Sequence, residues 1–308
     1  LSLHVGRSGE VWGAGDEGAW KLADETFLHY TEADGLEGPS VWTSIDLGGT
    51  LWVGTTDGLY RQTDRGFARD PRVAARADVR ELLPTAGGRL WIATSAGLIR
   101  DDGPGRRRTF TTADGLATNT LVDIAEGPDG RLWVAMTEGL ASVAPDGTVR
   151  AYSAADGLPD PYVNSILFDR AGTLWAATDG GLVRLVGDRL VEVPTGRGGA
   201  AVYAITSAPD GTIWGGFGEY GLVRYPGGAP GRPVLHPFEG ALEGATLYAL
   251  RVAPDGTLWA GTNRGLVALD VSRARPGRPL PATLYGADRG FTPVEVNHGA
   301  MRWDAEGR

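Results

Sequence analysis

Short apolar runs of four to six residues alternate with glycine-rich turns along the whole chain, and the alternation itself repeats. A tryptophan with the same neighbours recurs as Trp12, Trp52, Trp91, Trp133, Trp175, Trp214 and Trp259, which makes seven copies of one unit of roughly 40 residues. A glycine stands three residues before each tryptophan, from Gly9 and Gly49 to Gly211 and Gly256. A small residue follows two positions after it: Ala14, Gly54, Ala93, Ala135, Ala177, Gly216 and Gly261. Within a unit an apolar run such as Val41 to Ile45 leads into a turn such as Pro128-Asp129-Gly130, then into the Leu-Trp run, a second reversal such as Asp57-Gly58, a third strand and a more polar fourth. Proline presets one turn position and glycine accepts positive φ at another. Runs this short between glycine turns read as strands, and no helical segment is predicted.

Each unit is therefore a four-stranded antiparallel meander, too apolar to expose both faces. Face-to-face stacking in a ring gives an all-β fold, a seven-bladed β-propeller of four-stranded antiparallel blades. An open solenoid would need polar end caps, and the first repeat keeps the ordinary glycine-to-tryptophan spacing at Gly9 and Trp12. The tryptophans are expected in the core, each indole lying over the small residue of a neighbouring blade. Repeats one and six depart from the pattern, at Ala14-Gly15 and at Phe217 with one extra residue before Gly221, and are expected to be irregular. The division expected is 1–293 for the propeller and 294–308 for the first strand of a truncated eighth repeat. The sequence thus reads as a piece of a longer protein.

Composition narrows the function. A formal charge of −9 is unsuited to a nucleic-acid backbone. The one basic run, Arg106-Arg107-Arg108, reads as a solvated loop. Cysteine is absent, so disulfides, thiolate metal sites and a cysteine nucleophile are excluded. The four histidines are His4, His29, His236 and His298; the middle two fall on outer strands, and His298 alone is placed near the axis. One histidine is no metal-ligand set, and no Gly-x-Ser-x-Gly elbow occurs. No catalytic residue, metal or cofactor is expected.

The pattern Asp-x-x-Gly-x-Leu-Trp-small-small-Thr-x-x-Gly-Leu-x-Arg, with Asp-Gly-Leu between repeats at 34–36, 114–116 and 156–158, resembles the two-component regulator propeller repeat. The resemblance covers essentially the whole chain. It implies the extracytoplasmic sensor region of a bacterial hybrid histidine kinase or diguanylate cyclase, hence a periplasmic location, membrane attachment only through segments outside this chain, and room for a homodimer in the full-length receptor. Ligands known in the family include oligosaccharides. The rival readings are a propeller enzyme resembling streptogramin lyase and a protein-interaction scaffold.

A binding site follows from propeller geometry, because the innermost strands line the channel. Their alignment sets Thr43, Arg80, Val122, Asn164, Tyr203 and Tyr248 at equivalent positions, with Trp42 and Tyr162 close by. Aromatic faces suit sugar-like or planar ligands, and guanidinium suits carboxylates. The expected ligand-binding set is Trp42, Arg80, Tyr162, Asn164, Tyr203, Tyr248 and His298, facing a small-molecule or oligosaccharide ligand.

Overall fold

In the computed structural model the described residues are 3–5, 11–15, 18–23, 26–38, 40–85, 88–218, 220–231, 233–253, 256–285 and 301–302; apart from Ala19, those before Tyr30 and after Tyr285 are described by backbone alone. The chain is an all-β propeller. Six sheets are four-stranded antiparallel blades in which strand order follows sequence order. They are named below by their tryptophans: Trp52, Trp91, Trp133, Trp175, Trp214 and Trp259. Their innermost strands are Val41–Asp46, Val79–Thr85, Leu121–Glu126, Val163–Phe168, Val202–Ser207 and Leu247–Val252.

The expected count of seven such blades is corrected to six. The Trp12 segment forms a five-stranded mixed sheet instead, in which Met301–Arg302 adds parallel to Leu3–Val5. The innermost strand of each four-stranded blade keeps one edge unpaired, a row of backbone donors and acceptors; among the described residues, the Trp12 sheet alone has that edge paired. Met301–Arg302 covers that edge and lies against the inner strands of both the Trp52 and Trp259 blades. The proposed boundary at 293/294 falls on residues outside those described.

The two glycines of the repeat have backbone reasons. The glycine three before the tryptophan sits in the turn between the first two strands at positive φ, from 77° at Gly130 to 88° at Gly256. The glycine of the second reversal is likewise positive, 120° at Gly139 and 130° at Gly181. Side chains resist such values. The threonine before that reversal is buried and closes it: Thr94 Oγ1 donates to the Gly97 carbonyl at 2.7 Å and accepts from the Ala96 N–H at 3.0 Å. Met136 and Phe217 replace this threonine in two blades and are buried there, and the extra residue of the Trp214 repeat is absorbed in the turn between Phe217 and Gly221.

The expectation of no helical segment is corrected at the linkers, which hold single 3-10 turns. Thr31, Thr111 and Ser153 each cap such a turn in a reciprocal box with Asp34, Asp114 and Asp156. Gly35, Gly115 and Gly157 end them in left-handed conformation, and Leu36, Leu116 and Leu158 then drop into the core. The repeated Asp-Gly-Leu is thus a helix stop followed by an anchor.

The core lies between blades. Each hydrophobic cluster joins one blade to the next, as Trp91, Ala93 and Leu98 do with Leu121, Ile124 and Leu132. The small residue after Trp52, Trp91, Trp133, Trp175 and Trp214 packs on the first aliphatic of the next inner strand, correcting the expectation that it receives an indole. A Cβ on Gly54 would stand 2.6 Å from Val79 Cγ1. The indoles pack instead on aromatics of outer strands: Trp91 on Phe110, Trp133 on Tyr152, Trp214 on His236 and Trp259 on Tyr285. Trp175 stacks on Tyr225 of the following blade, because Val193 fills its own outer position. Trp91, Trp133, Trp175 and Trp214 are buried, whereas Trp52 and Trp259 are only half-buried.

Trp133→Ala is expected to cost about 3 to 5 kcal/mol in chemical denaturation, the range for a buried aromatic; under about 1 kcal/mol, the indole would not be core. Asp114 supplies a second test. The Thr111 N–H, and then the Arg108 guanidinium, hold its carboxyl below the usual carboxylate range. A depressed folded-state value stabilises above the unfolded pKa of about 3.9 and is lost as pH falls through the folded value. Asp114→Asn should therefore flatten the acid limb of the stability curve below about pH 4; an unchanged limb would exclude this linkage.

Candidate functional site

The entrance to each inner strand carries the same irregularity. Val79 pairs with Thr94 and Glu81 with Ala93, so Arg80 is an extra residue in a bulge. The same shift makes Trp42, Val122, Asn164, Tyr203 and Tyr248 the extra residues in the other five blades. A bulge leaves its residue out of the ladder and re-aims the side chain. This register corrects the sequence alignment at one point. Trp42, not Thr43, is the equivalent of Arg80. Thr43 is buried and donates to Glu81 Oε1 at 3.1 Å, a tie between neighbouring inner strands.

The bulged residues meet in two groups. The Arg80 guanidinium lies 3.8 Å from the centre of the Trp42 ring and pairs with Asp78 at 2.8 Å. Trp42 Nε1 and Arg80 Nε are buried without hydrogen-bond partners. Across the ring, Tyr203 and Tyr248 approach with centroids 6.2 Å apart. Asn164 is buried, and its amide is used structurally: Nδ2 donates to Asp179 Oδ1 at 2.8 Å and to the Val202 carbonyl of the next blade at 3.1 Å. Tyr162 is exposed at the strand entrance, its N–H held by Asp160. His298 lies outside the described residues.

A second opening escaped the sequence reading. A cavity of about 510 Å³ occupies the opposite end of the channel, where Leu83, Ile124, Ile166 and Ile205 form apolar walls and Glu126, Thr206 and Arg251 bring polar groups. The signal for it was the polar residues late in inner strands. Bulges, too, had a signal: apolar residues three apart, as in Val79/Leu82, Val163/Ile166 and Val202/Ile205, break the period of two that an unbulged strand keeps.

His236 contributes no reactive group here. It is buried on Trp214 with Nδ1 3.0 Å from the Arg278 carbonyl, and burial lowers its pKa, keeping the ring neutral. Among the described residues, no group of three or more histidine, aspartate and glutamate side chains could hold a metal ion, and no helix is long and apolar enough to cross a membrane.

Replacing Asn164 by Ala should cost about 1 to 3 kcal/mol, because the Val202 carbonyl loses its bridge in a buried setting. Urea denaturation would measure it, and a loss under about 0.5 kcal/mol would show that the bridge carries little.

Comparisons place the chain among propellers of known structure. It is similar to the extracellular domain of a protein described as a hybrid two component system, BT3049 from B. thetaiotaomicron, with TM-score 0.72 and 20% identity over 91% of this chain and 43% of that one. BT4673 from B. thetaiotaomicron, described likewise, gives 0.67 and 17% over 88% and 39%. The chain thus spans about two fifths of the length of these two. Virginiamycin B lyase from Staphylococcus aureus gives 0.63 and 16% over 80% and 84%. At these identities the likeness is one of fold. No curated protein matches in sequence. Within the chain, residues 157–180 match the family described as two component regulator propeller, in keeping with the repeat resemblance.

Proposed function

We propose that this propeller is the ligand-binding, extracytoplasmic sensor module of a bacterial transmembrane signalling protein, and that it has no catalysis of its own. The observation that carries the reading is the set of six bulges, which delivers Trp42, Arg80, Asn164, Tyr203 and Tyr248 to one end of the channel. A bulge repeated for packing alone would be indifferent to its residue. Here four of the six bulged residues are aromatic or cationic, and two of them hold buried, unpartnered N–H groups. Concave surfaces with aromatic walls and few polar groups suit small ligands. The resemblance to sensors of two-component systems points to a signal molecule, with small or oligomeric sugars as the first class to try. Output would follow from differential affinity for two receptor arrangements.

The likeness to virginiamycin B lyase keeps an enzyme reading in view, on fold alone. Calorimetry with oligosaccharides and organic acids would identify the ligand. Arg80→Ala combined with Tyr203→Ala should weaken its binding at least tenfold, about 1.4 kcal/mol, with circular dichroism unchanged. Unaltered affinity would end the entrance assignment, and loss in Arg251→Ala instead would move the site to the opposite cavity.

A further inference from the structure

The linker between the Trp52 and Trp91 blades, Asp70 to Asp78, lacks the Thr/Ser-x-x-Asp-Gly-Leu pattern and carries Arg72 and Arg76, and Arg80 continues the spacing of four into the next inner strand. Two of the three are paired with a carboxylate and lie over an indole. Arg72 pairs with Asp70 at 2.8 Å and Asp101 at 3.2 Å and lies 4.2 Å over the Trp52 ring. Arg80 is held by Asp78 and Trp42. Arg76 is exposed, and among the described residues its side chain makes no hydrogen bond or ion pair. Its backbone is also singular. With φ 64° it is the one non-glycine residue at positive φ among those described, fixed there by its N–H on the Asp57 carbonyl at 3.0 Å. A left-handed arginine costs energy unless the surroundings impose it.

Arg76 lines a pocket of about 640 Å³ on the face where the inner strands begin, together with Glu32, Glu37, Thr56, Asp57 and Arg69. The charges there divide unevenly. Asp57 and Arg69 cancel as a pair at 2.9 Å, and the Tyr60 hydroxyl donates to Asp57 at 3.2 Å. Burial first of all raises the Tyr60 pKa, so the phenol stays a neutral donor. Glu32 has no side-chain partner among the described residues, and Glu37, with its side chain 66% exposed, has only long contacts: Tyr60 at 3.4 Å and Arg69 at 3.8 Å. One cation and two carboxylates are left over. Thr56 Oγ1 is buried without a partner in the same wall, a cost that rotation toward a bound polar group would relieve.

A plain anion entering this pocket would meet net negative charge, and a plain cation would leave the strained Arg76 unused. A molecule carrying both charges answers both remainders. Guanidinium takes a carboxylate in a two-pronged hydrogen bond, and paired carboxylates take an ammonium. We propose that this pocket, formed by the Trp52 blade and the linkers that flank it, binds a small zwitterion, an α-amino acid or dipeptide, its carboxylate on Arg76 and its ammonium between Glu32 and Glu37. The site is separate from the channel entrance and stands independently of it.

Calorimetry of the full chain against the standard amino acids and a set of dipeptides, at up to millimolar concentration, tests this. At least one member should bind, and its N-acetyl and C-amide forms should not. Arg76→Gly removes the guanidinium and relieves the backbone, so it should melt no lower than the wild type while affinity falls at least tenfold. Glu37→Gln should weaken binding of the same compound. The assignment is overturned if no amino acid or dipeptide binds, if a blocked form binds as tightly, or if Arg76→Gly keeps its affinity. Loss in the Arg80/Tyr203 double variant with Arg76→Gly unaffected would also overturn it, by placing the zwitterion at the channel entrance.

Discussion

The closeness with which one blade must lie on the next governs the rest of this structure. The contact is narrow: a glycine or alanine on the second strand of one blade meets a valine or leucine at the start of the next inner strand. Ala93 shares its cluster with Leu121, Ala135 with Val163 and Ala177 with Val202. A Cβ on Gly216 would collide with Leu247. Packing at crystal-like density leaves no slack for a larger group there. Because the same contact recurs around the ring, the inner strands are brought within reach of one another, and every feature of the channel inherits its position from that approach.

The bulges follow from the same contact. The first aliphatic of the inner strand must point into the interblade layer, as Val79, Leu121 and Val163 do, all fully buried. The aliphatic three residues later, Leu82, Ile124 or Ile166, must be buried as well. A regular strand turns residues three apart to opposite faces. One extra residue restores both to the layer, and that residue is left for the channel entrance. Buried ties then lock neighbouring inner strands at this level: the Thr43 hydroxyl donates to Glu81 and the Ile166 N–H to Asp123.

What the sequence disclosed is the unit: its strands, its turns and the meander order are all written in residues that act locally, such as Pro128-Asp129-Gly130 and Thr94. What it hid depends on closure or on neighbours. The Trp12 repeat is irregular, as Ala14-Gly15 led one to expect, but the form of the irregularity, a parallel strand Met301–Arg302 added to its sheet, is a pairing no local pattern encodes. Trp52 resembles the other tryptophans in its surroundings along the chain but is half-buried under Arg72, which arrives from a linker. Thr43 was set beside Arg80 by counting, since a bulge shifts the count by one without altering composition. Asn164 read as a ligand contact, and its amide is already bound to Asp179 and Val202.

Departures from the repeat therefore carry more information than the repeat itself. Where a linker needs only to join blades, the capped turn ending in Asp-Gly-Leu suffices, and it recurs at Thr31, Thr111 and Ser153. The linker after the Trp52 blade gives up that turn for two arginines, Arg72 and Arg76, with Arg80 following in the bulge of the next inner strand. Arg72 and Arg80 stack on tryptophans, replacing lost anchoring by the attraction of a cation for an aromatic face. Side-chain anchoring does not account for the third: among the described residues the Arg76 guanidinium makes no hydrogen bond or ion pair, and its backbone is in a conformation that an arginine disfavours. A strained residue with no structural gain of its own is where local consistency gives way to function. In this ring the strained residue sits on the rim of the Trp52 blade, and the zwitterion proposed there rests on it.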